Sequence, residues 1–280
     1  MLRRNPAKET DKENPMKKSH TNPYAALDQP QVLQFLFHPR RDTSKKAVSE
    51  KEHFIPVDQD IEVGAAFHLA DRSFPNILFF HGNGEIVSDY DDLGPIFNRM
   101  GINFLVVDYR GYGKSSGSPT VFSMLLDCHT ILDFVVNELK NLNFTGSLTV
   151  MGRSLGSASA LELAATRQDS IDRLIIESGF AHAAPLLKTL GLDPDMIGFQ
   201  ESQGFGNADK IKHWNKPLLI IHAQFDHIID FSQGEVLYNL CPSADKDLLM
   251  IPGANHNDIF IKGFDMYLNS LKNFLLPPDL

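Results

Sequence analysis

Residues 150–165, VMGRSLGSASALELAA, place one serine between two glycines where an apolar run gives way to small residues with helical spacing. Within this stretch, GRSLG at 152–156 matches the pattern G-x-S-x-G. A nucleophile at a sharp strand-to-helix turn is held in a strained backbone region, and flanking glycines remove side chains that would clash there. The helix predicted from residue 155 adds free N–H groups and the positive end of its dipole. The alternative interpretation is a plain turn, and other segments decide between the two.

Apolar runs alternate with helical patterns along the chain. The runs predict buried strands at 76–80, 103–109, 147–152, 172–178, 216–223 and 246–253. Helices are expected at 91–101, 121–140, 155–167, about 232–240 and 258–275. Segments 53–57 and 61–70 alternate apolar and polar residues, which is typical of an antiparallel pair. The pattern predicts an α/β fold with a mostly parallel central sheet flanked by helices.

The length of 280 residues and a hydrophobic content of 42% suit one large core. Residues 1–28 carry many charges and few apolar side chains, so we expect a disordered tail. Residues 29–280 then form a single domain. Glycines interrupt residues 180–213 between two predicted strands, which indicates a small cap over one edge of the sheet.

Composition excludes several classes of protein. A net charge of -9 argues against a nucleic-acid partner. No apolar run approaches the roughly 18 residues of a membrane span, and no secretory pattern follows the basic start. The two cysteines, Cys128 and Cys241, do not make a disulfide framework. We therefore expect a cytoplasmic protein without a stable membrane anchor.

A serine hydroxyl needs a base, and His256 is the best placed of the eleven histidines. It lies in PGANHND, residues 252–258, after the last predicted strand and before the last helix. That position brings it to the same sheet edge as Ser154. The alternative for a loop histidine is an ordinary surface residue.

The base in turn needs an acid that fixes its tautomer, and Asp226 follows the strand at 216–223. The order Ser154, Asp226, His256 is the order of nucleophile, acid and base on α/β-hydrolase sheets. Asp230 is the rival acid, although its place beside Ser232 favours a helix cap.

An acyl-transfer transition state also needs donors for its oxyanion. The segment HGNG at 81–84 turns sharply after a predicted strand, and its glycines permit that turn. We expect the backbone N–H groups of Asn83 and Leu155 to point at one position. The alternative for His81-Gly82 is a turn with a buried histidine.

Metal and cofactor sites are not expected. His222, Asp226 and His227 lie close in sequence, but they lack a tight ligand spacing such as H-E-x-x-H. The segment GYGKS at 111–115 lacks the first-glycine spacing of a phosphate-binding loop.

Five stretches together resemble the α/β-hydrolase superfamily and, within it, the Bem46-like branch with the alpha/beta hydrolase domain-containing 13 and 17 types. They are FFHGNGE (79–85), VVDYRGYGKSSGSPT (106–120), MGRSLGSASALELA (151–164), LLIIHAQFDHIIDFSQGEVLY (218–238) and IPGANHNDI (251–259). The resemblance implies that Arg110 is structural or pairs with a buried carboxylate, and that Arg153 packs behind the nucleophile or contacts substrate. The 17 type carries a palmitoylated, cysteine-rich N-terminus, whereas this sequence has no cysteine before Cys128. Membrane anchoring is therefore not carried over.

The residues and the resemblance predict a serine hydrolase for carboxylic esters or thioesters, acting on a small-molecule or acyl-protein substrate. A serine peptidase or amidase on the same residues, and a silent binding module on a hydrolase fold, stay open as alternatives. The oligomeric state is left open. The cap supplies apolar side chains that either contact an acyl group or form its own core: Phe180, Leu186, Leu187, Leu190 and Phe199.

Overall fold

A computed structural model describes residues 22–44 and 51–276 of the chain. Eight strands form one sheet: β1 (Glu52–Asp58), β2 (Ile61–His68), β3 (Asn76–Phe80), β4 (Asn103–Val107), β5 (Leu148–Arg153), β6 (Arg173–Glu177), β7 (Leu218–Ala223) and β8 (Lys246–Ile251). The described helices are α1 (Pro30–Leu36), α2 (Leu93–Arg99), α3 (Val121–Asn141), α4 (Gly156–Thr166), α5 (Ala183–Thr189), α6 (Asn207–Lys210), α7 (Phe231–Leu240), α8 (Ile259–Lys262) and α9 (Phe264–Leu275). Short 3-10 turns connect some of them.

The strands lie in the order β1-β2-β4-β3-β5-β6-β7-β8. β2 pairs antiparallel with β1 and β4, and every other neighbouring pair is parallel. The expected mostly parallel sheet flanked by helices is confirmed. Because parallel strands end at the same edge, the loops that follow β3, β5, β6, β7 and β8 meet there.

Alternate side chains of the buried strands serve two separate cores. On β3, Leu78 and Phe80 belong to the core that contains residues of α3 and α4. Ile77 and Phe79 belong to the opposite core, against α2 and α9. Burial on both faces explains why these strands are continuous apolar runs rather than alternating ones.

The predicted tail ends earlier than residue 28. Tyr24 and Leu27 are buried in the core. The Asp28 carboxylate accepts hydrogen bonds from the backbone N–H groups of Val121 (2.7 Å) and Phe122 (3.3 Å), at the free start of α3. This contact is long-range, so the local composition did not indicate it. Residues 1–21 of the predicted tail lie outside the described residues.

The predicted cap is shorter than residues 180–213. Its last part, α6 and the 3-10 turn at 211–213, packs against α4 as part of the connection to β7. Phe180 and Leu187 are buried in the core, and Leu190 packs against it from the outside. Leu186 and Phe199 are also buried there. Their burial favours core packing, one of the two interpretations that the sequence left open.

The helix predicted at 258–275 is interrupted at Gly263. A Cβ at this position would lie 2.5 Å from Cγ2 of Ile251 on β8, so the chain bends where it approaches the sheet. Among the described helices, none combines the length and the apolar character that a membrane crossing requires.

Candidate active site

Ser154, His256 and Asp226 come together at the carboxyl edge of the sheet. The Ser154 hydroxyl lies 2.9 Å from Nε2 of His256, and Nδ1 of the same ring lies 2.7 Å from Oδ2 of Asp226. With the ring proton on Nδ1, His256 donates to the carboxylate and accepts from the hydroxyl. All three residues are buried. The geometry joins a hydroxyl, an imidazole and a carboxylate in one chain of hydrogen bonds.

Ser154 occupies the turn between β5 and α4 with a φ of 50°, in the left-handed region. The flanking glycines allow α4 to approach the sheet. A Cβ on Gly152 would lie 2.4 Å from the Gly156 carbonyl oxygen, and one on Gly156 would lie 2.1 Å from that of Phe80. The G-x-S-x-G spacing therefore follows from close backbone packing around a strained serine.

Asp226 has partners for both carboxylate oxygens. Oδ1 accepts from the backbone N–H groups of Ile228 (3.0 Å) and Ile229 (2.8 Å), while Oδ2 faces His256. Burial alone would raise the pKa of Asp226, but these hydrogen bonds and His256 outweigh it and lower the pKa below its ordinary value. The acid is thus held ionised and oriented toward the ring.

The other candidate residues make different contacts, although Nε2 of His222 also lies 3.6 Å from Oδ2 of Asp226. The rival acid Asp230 accepts from the Ser232 backbone N–H (2.9 Å) and caps α7. Nε2 of His222 lies 2.8 Å from the Ile229 carbonyl oxygen, and burial lowers the pKa of the ring. His227 is exposed. The structure therefore does not bring His222 and His227 together as a pair of ligands.

The turn after β3 is fixed by the side chain of Asn83. Its Oδ1 accepts from the Tyr112 hydroxyl (2.6 Å) and from the His38 backbone N–H (2.8 Å). Within the part of the chain that the structure describes, the backbone N–H groups of Asn83 and Leu155 have no hydrogen-bond acceptor. Their convergence on one position, as donors to a developing oxyanion, stays a prediction.

His81, at the start of the same turn, is fully buried. Its Nε2 lies 3.1 Å from Asp108 Oδ1, which also accepts from the Val87 backbone N–H at 3.0 Å. His81 is therefore the buried histidine of the alternative interpretation. Its burial is compatible with the proposed role of the Asn83 backbone N–H two residues later.

Arg153 makes contacts that the sequence did not reveal. Its guanidinium reaches Glu85 Oε1 through Nη1 (2.7 Å) and Glu177 Oε1 through Nε (3.1 Å). Its Nη2 donates to the backbone carbonyl of His256 (2.8 Å). Burial alone would lower the pKa of Arg153, but the two carboxylates raise it, so the guanidinium stays charged. One side chain thus connects the loops after β3 and β8 with the end of β6.

The sequence showed the chain positions of Glu85 and Glu177, but not their contacts with Arg153. Glu85 directly follows HGNG, and Glu177 lies in the strand predicted at 172–178 and is the last residue of β6, so both reach the edge that carries Ser154. Arg110 has the carboxylate partner that the resemblance suggested, because it binds both oxygens of Asp127 at 2.7 Å.

Several known proteins resemble this chain in sequence. A family model described as serine aminopeptidase, S33, matches residues 72–192. Protein bem46 of Schizosaccharomyces pombe is 29% identical over 212 residues, which cover 75% of this chain and 70% of that protein. Human alpha/beta hydrolase domain-containing protein 17B is 33% identical over 216 residues, which cover 73% of this chain and 68% of that protein.

Among solved structures, the Pyrococcus furiosus esterase Pf2001 superposes with a TM-score of 0.67 at 16% identity, covering 85% of this chain and 98% of that one. This likeness concerns the fold. The identity to protein 17B extends over two thirds of its length. The chain therefore belongs to the α/β-hydrolase superfamily, in the branch that contains Bem46 and the alpha/beta hydrolase domain-containing 17 proteins.

Proposed function

We propose that the protein is a serine hydrolase that cleaves carboxylic ester or thioester bonds through an acyl-enzyme. The observation that carries the proposal is the unbroken hydrogen-bond chain from Ser154 through His256 to Asp226, with distances of 2.9 and 2.7 Å. In this arrangement His256 can remove a proton from the hydroxyl, and Asp226 stabilises the imidazolium that forms.

The first half-reaction forms the acyl-enzyme. Ser154 Oγ bonds to the substrate carbonyl carbon while its proton passes to Nε2 of His256. The carbonyl oxygen becomes an oxyanion, for which the free N–H groups of Asn83 and Leu155 are the proposed donors. When the tetrahedral intermediate collapses, the bond to the leaving group breaks and His256 protonates the departing alcohol or thiol.

The second half-reaction repeats these steps with water. His256 takes a proton from the water, whose oxygen bonds to the acyl carbon. The Ser154 ester bond then breaks, the proton returns to Oγ, and the carboxylic acid leaves. Asp226 keeps its negative charge in both halves, in agreement with its lowered pKa.

A second candidate activity is that of a serine peptidase or amidase, which the description of the matching family model favours. The same three residues would act, with an amine as the leaving group. The cytoplasmic location and the small-molecule or acyl-protein partner stay predictions from the sequence.

A fluorophosphonate probe and a panel of p-nitrophenyl esters, acyl thioesters and aminoacyl anilides test the proposal. The native chain should label and turn over esters or thioesters. Ser154→Ala should abolish labelling, and Asp226→Asn should lower kcat by about 10⁴-fold because the ring loses its tautomer. The matched control Asp230→Asn should keep the native rate, since Asp230 caps α7.

Three results would contradict the proposal in different ways. Labelling that survives Ser154→Ala would identify another nucleophile. Cleavage confined to aminoacyl anilides would favour the peptidase. A native chain that neither labels nor turns over any substrate would be a binding module on this fold.

A further inference from the structure

The hydroxyl group of Tyr112 contacts the turn that follows β3. Tyr112 belongs to GYGKS (111–115), a segment that the proposed chemistry does not use. Its side chain is fully buried, and its hydroxyl donates to Oδ1 of Asn83 at 2.6 Å. The proposed oxyanion donor is the backbone N–H of the same asparagine. Tyr112 therefore holds the side chain of the residue whose backbone would act on the substrate.

The directions of the hydrogen bonds in this contact are fixed. The His38 backbone N–H lies 2.8 Å from Oδ1 of Asn83 and 2.9 Å from the Tyr112 hydroxyl. Because a backbone N–H can only donate, the atom of Asn83 that faces it is the oxygen, and this oxygen also accepts from Tyr112. Burial raises the pKa of Tyr112 above its ordinary value, although the N–H groups of His38 and Gly84 lower it. The hydroxyl therefore keeps its proton and remains a donor.

Backbone groups on both sides of Asn83 are also held. The Gly82 N–H donates to Oε2 of Glu85 at 2.6 Å, and the Gly84 carbonyl accepts from Nε of Arg40 at 3.1 Å. The Asn83 N–H between them has no acceptor within the described ranges 22–44 and 51–276. A donor that is unoccupied while its neighbours are fixed can stabilise a developing charge without reorganising the turn.

The segment that precedes β1 supplies part of this support. The Gly113 N–H donates to the Arg40 carbonyl (2.8 Å), and the Asp42 N–H donates to the Gly113 carbonyl (3.2 Å). Residues 38–42 therefore lie between the turn after β3 and the loop after β4, and they bring the His38 N–H to the turn. The contact joins three segments that are distant in sequence.

We propose that Tyr112 is a positioning residue, which aims the Asn83 backbone N–H at the developing oxyanion by holding the Asn83 side chain. The inference rests on the proposed hydrolase function and adds a residue to its site. Without the hydroxyl, Oδ1 of Asn83 retains only the His38 donor, so the turn gains freedom that the transition state must remove. Because the oxyanion forms after binding, the loss should lower kcat and leave KM nearly unchanged.

The test is a double-mutant cycle with p-nitrophenyl acetate as substrate. Tyr112→Phe keeps the buried ring, and it should lower kcat about tenfold with KM within about twofold of native. Asn83→Ala keeps the backbone N–H, and it should lower kcat at least as much. Since Tyr112 acts through the Asn83 side chain, adding Tyr112→Phe to Asn83→Ala should change kcat by less than about twofold.

Inhibition by phenylboronic acid gives a second measurement, because its adduct with Ser154 is tetrahedral and negatively charged like the transition state. The inhibition constant should rise in Tyr112→Phe by about the factor by which kcat falls. The matched control is Tyr238→Phe, since Tyr238 lies on α7 with the Lys246 ammonium 4.7 Å from its ring centroid. It should keep the native kcat and the native inhibition constant.

Labelling of the native chain by a fluorophosphonate separates this inference from the function on which it rests. With labelling intact, a native kcat in Tyr112→Phe would overturn the inference alone, and so would a double variant in which the two effects multiply. If Tyr112→Phe does not fold, Asn83→Ala decides. A lowered kcat with a native KM and weaker boronic acid inhibition would then support the inference, and a native kcat would overturn it.

If the native chain neither labels nor hydrolyses esters, the proposed function fails, and NMR relaxation then decides whether Tyr112 holds the turn. The order parameter of the Asn83 N–H should be about 0.85 in the native chain, as for rigid backbone, and should fall clearly in Tyr112→Phe. Equal order parameters in the two proteins would overturn the hold on the turn as well.

Discussion

Ser154, the proposed nucleophile, has an unfavourable backbone conformation. Its φ of 50° lies in a region that a residue with a Cβ enters at a cost of roughly 1 kcal/mol or more. Replacing it by glycine removes that strain, whereas replacing it by alanine retains it. We expect Ser154→Gly to have a free energy of unfolding about 1 kcal/mol above that of Ser154→Ala in urea titrations. Both should be inactive, and equal stabilities would contradict the strain.

Arg153 occupies a variable position of G-x-S-x-G, so the motif itself indicates no role for it. We expect it to position His256, since Nη2 holds the His256 carbonyl while Glu85 and Glu177 fix the guanidinium. Arg153→Lys keeps the charge but cannot reach all three partners. Because a misplaced base slows proton transfer, kcat for the acetate ester should fall by up to about 10²-fold with little change in KM.

The matched control for this prediction is Arg167→Lys, which alters an arginine that pairs with the exposed Asp133. It should leave kcat unchanged. If Arg153→Lys lowers the melting temperature yet retains the native kcat at 25 °C, Arg153 is structural and does not position the base.

The difference between Ser154 and Arg153 shows what a sequence can indicate at this scale. Ser154, Asp226 and His256 each follow a recognisable strand, and their shared edge follows from parallel topology. The Arg153 contacts join loops that are distant in sequence, and no local pattern specifies which carboxylate an arginine meets. Glu85 could be read only as the residue after HGNG.

At the scale of the elements, the close packing of α4 against the sheet sets the position of Ser154. A Cβ at Gly156 would lie 2.1 Å from the Phe80 carbonyl oxygen, which belongs to the backbone and cannot move aside cheaply. We expect Gly156→Ala to lower the free energy of unfolding by about 1–3 kcal/mol. It should also reduce fluorophosphonate labelling, because α4 and Ser154 must shift together.

Ser159→Ala is the control on the same helix. The Ser159 hydroxyl is buried without a hydrogen-bond partner among the described residues, so its removal should be neutral or stabilising. Circular dichroism in urea measures both variants. A Gly156→Ala protein as stable and reactive as native would show that α4 does not depend on this close contact.

Helices and strands whose own sequence is strongly periodic were predicted. Boundaries that depend on contact with a neighbouring element were missed. The parallel strands β3 to β8 were located to within a few residues because their apolar runs are long and continuous, although β8 lies at the edge of the sheet and is only partly buried. The break at Gly263 comes from the proximity of Ile251, and the assignment of residues 207–213 to the connection comes from packing on α4. Both depend on contacts with distant residues.

At the scale of the whole molecule, a buried ionic cluster joins three helices. Glu162 of α4 pairs with His129 of α3 (3.2 Å) and with Lys210 of α6 (2.8 Å). The helical pattern at 121–140 contains His129, but it could not indicate that α3, α4 and α6 meet. A contact between distant residues also holds residues 22–28 in place, since Asp28 accepts a hydrogen bond at the start of α3.

This cluster predicts how stability depends on pH. Burial alone would raise the pKa of Glu162, but His129 and Lys210 lower it from 4.5 to about 2. A carboxyl group with a lowered folded pKa stabilises the protein above its unfolded pKa, and that stability is lost as the pH falls through the folded value. Glu162 should therefore contribute about 3 kcal/mol at pH 7, lost progressively between pH 4.5 and 2.

Glu162→Gln removes this titration. We expect it to be about 3 kcal/mol less stable than native at pH 7, with the difference narrowing by about 2 kcal/mol at pH 3. Urea unfolding at both pH values measures the change, and Asp133→Asn serves as the control because its carboxylate is exposed. A difference that is the same at both pH values would show that Glu162 is not held ionised by His129 and Lys210, and that the cluster stabilises the three helices by packing alone.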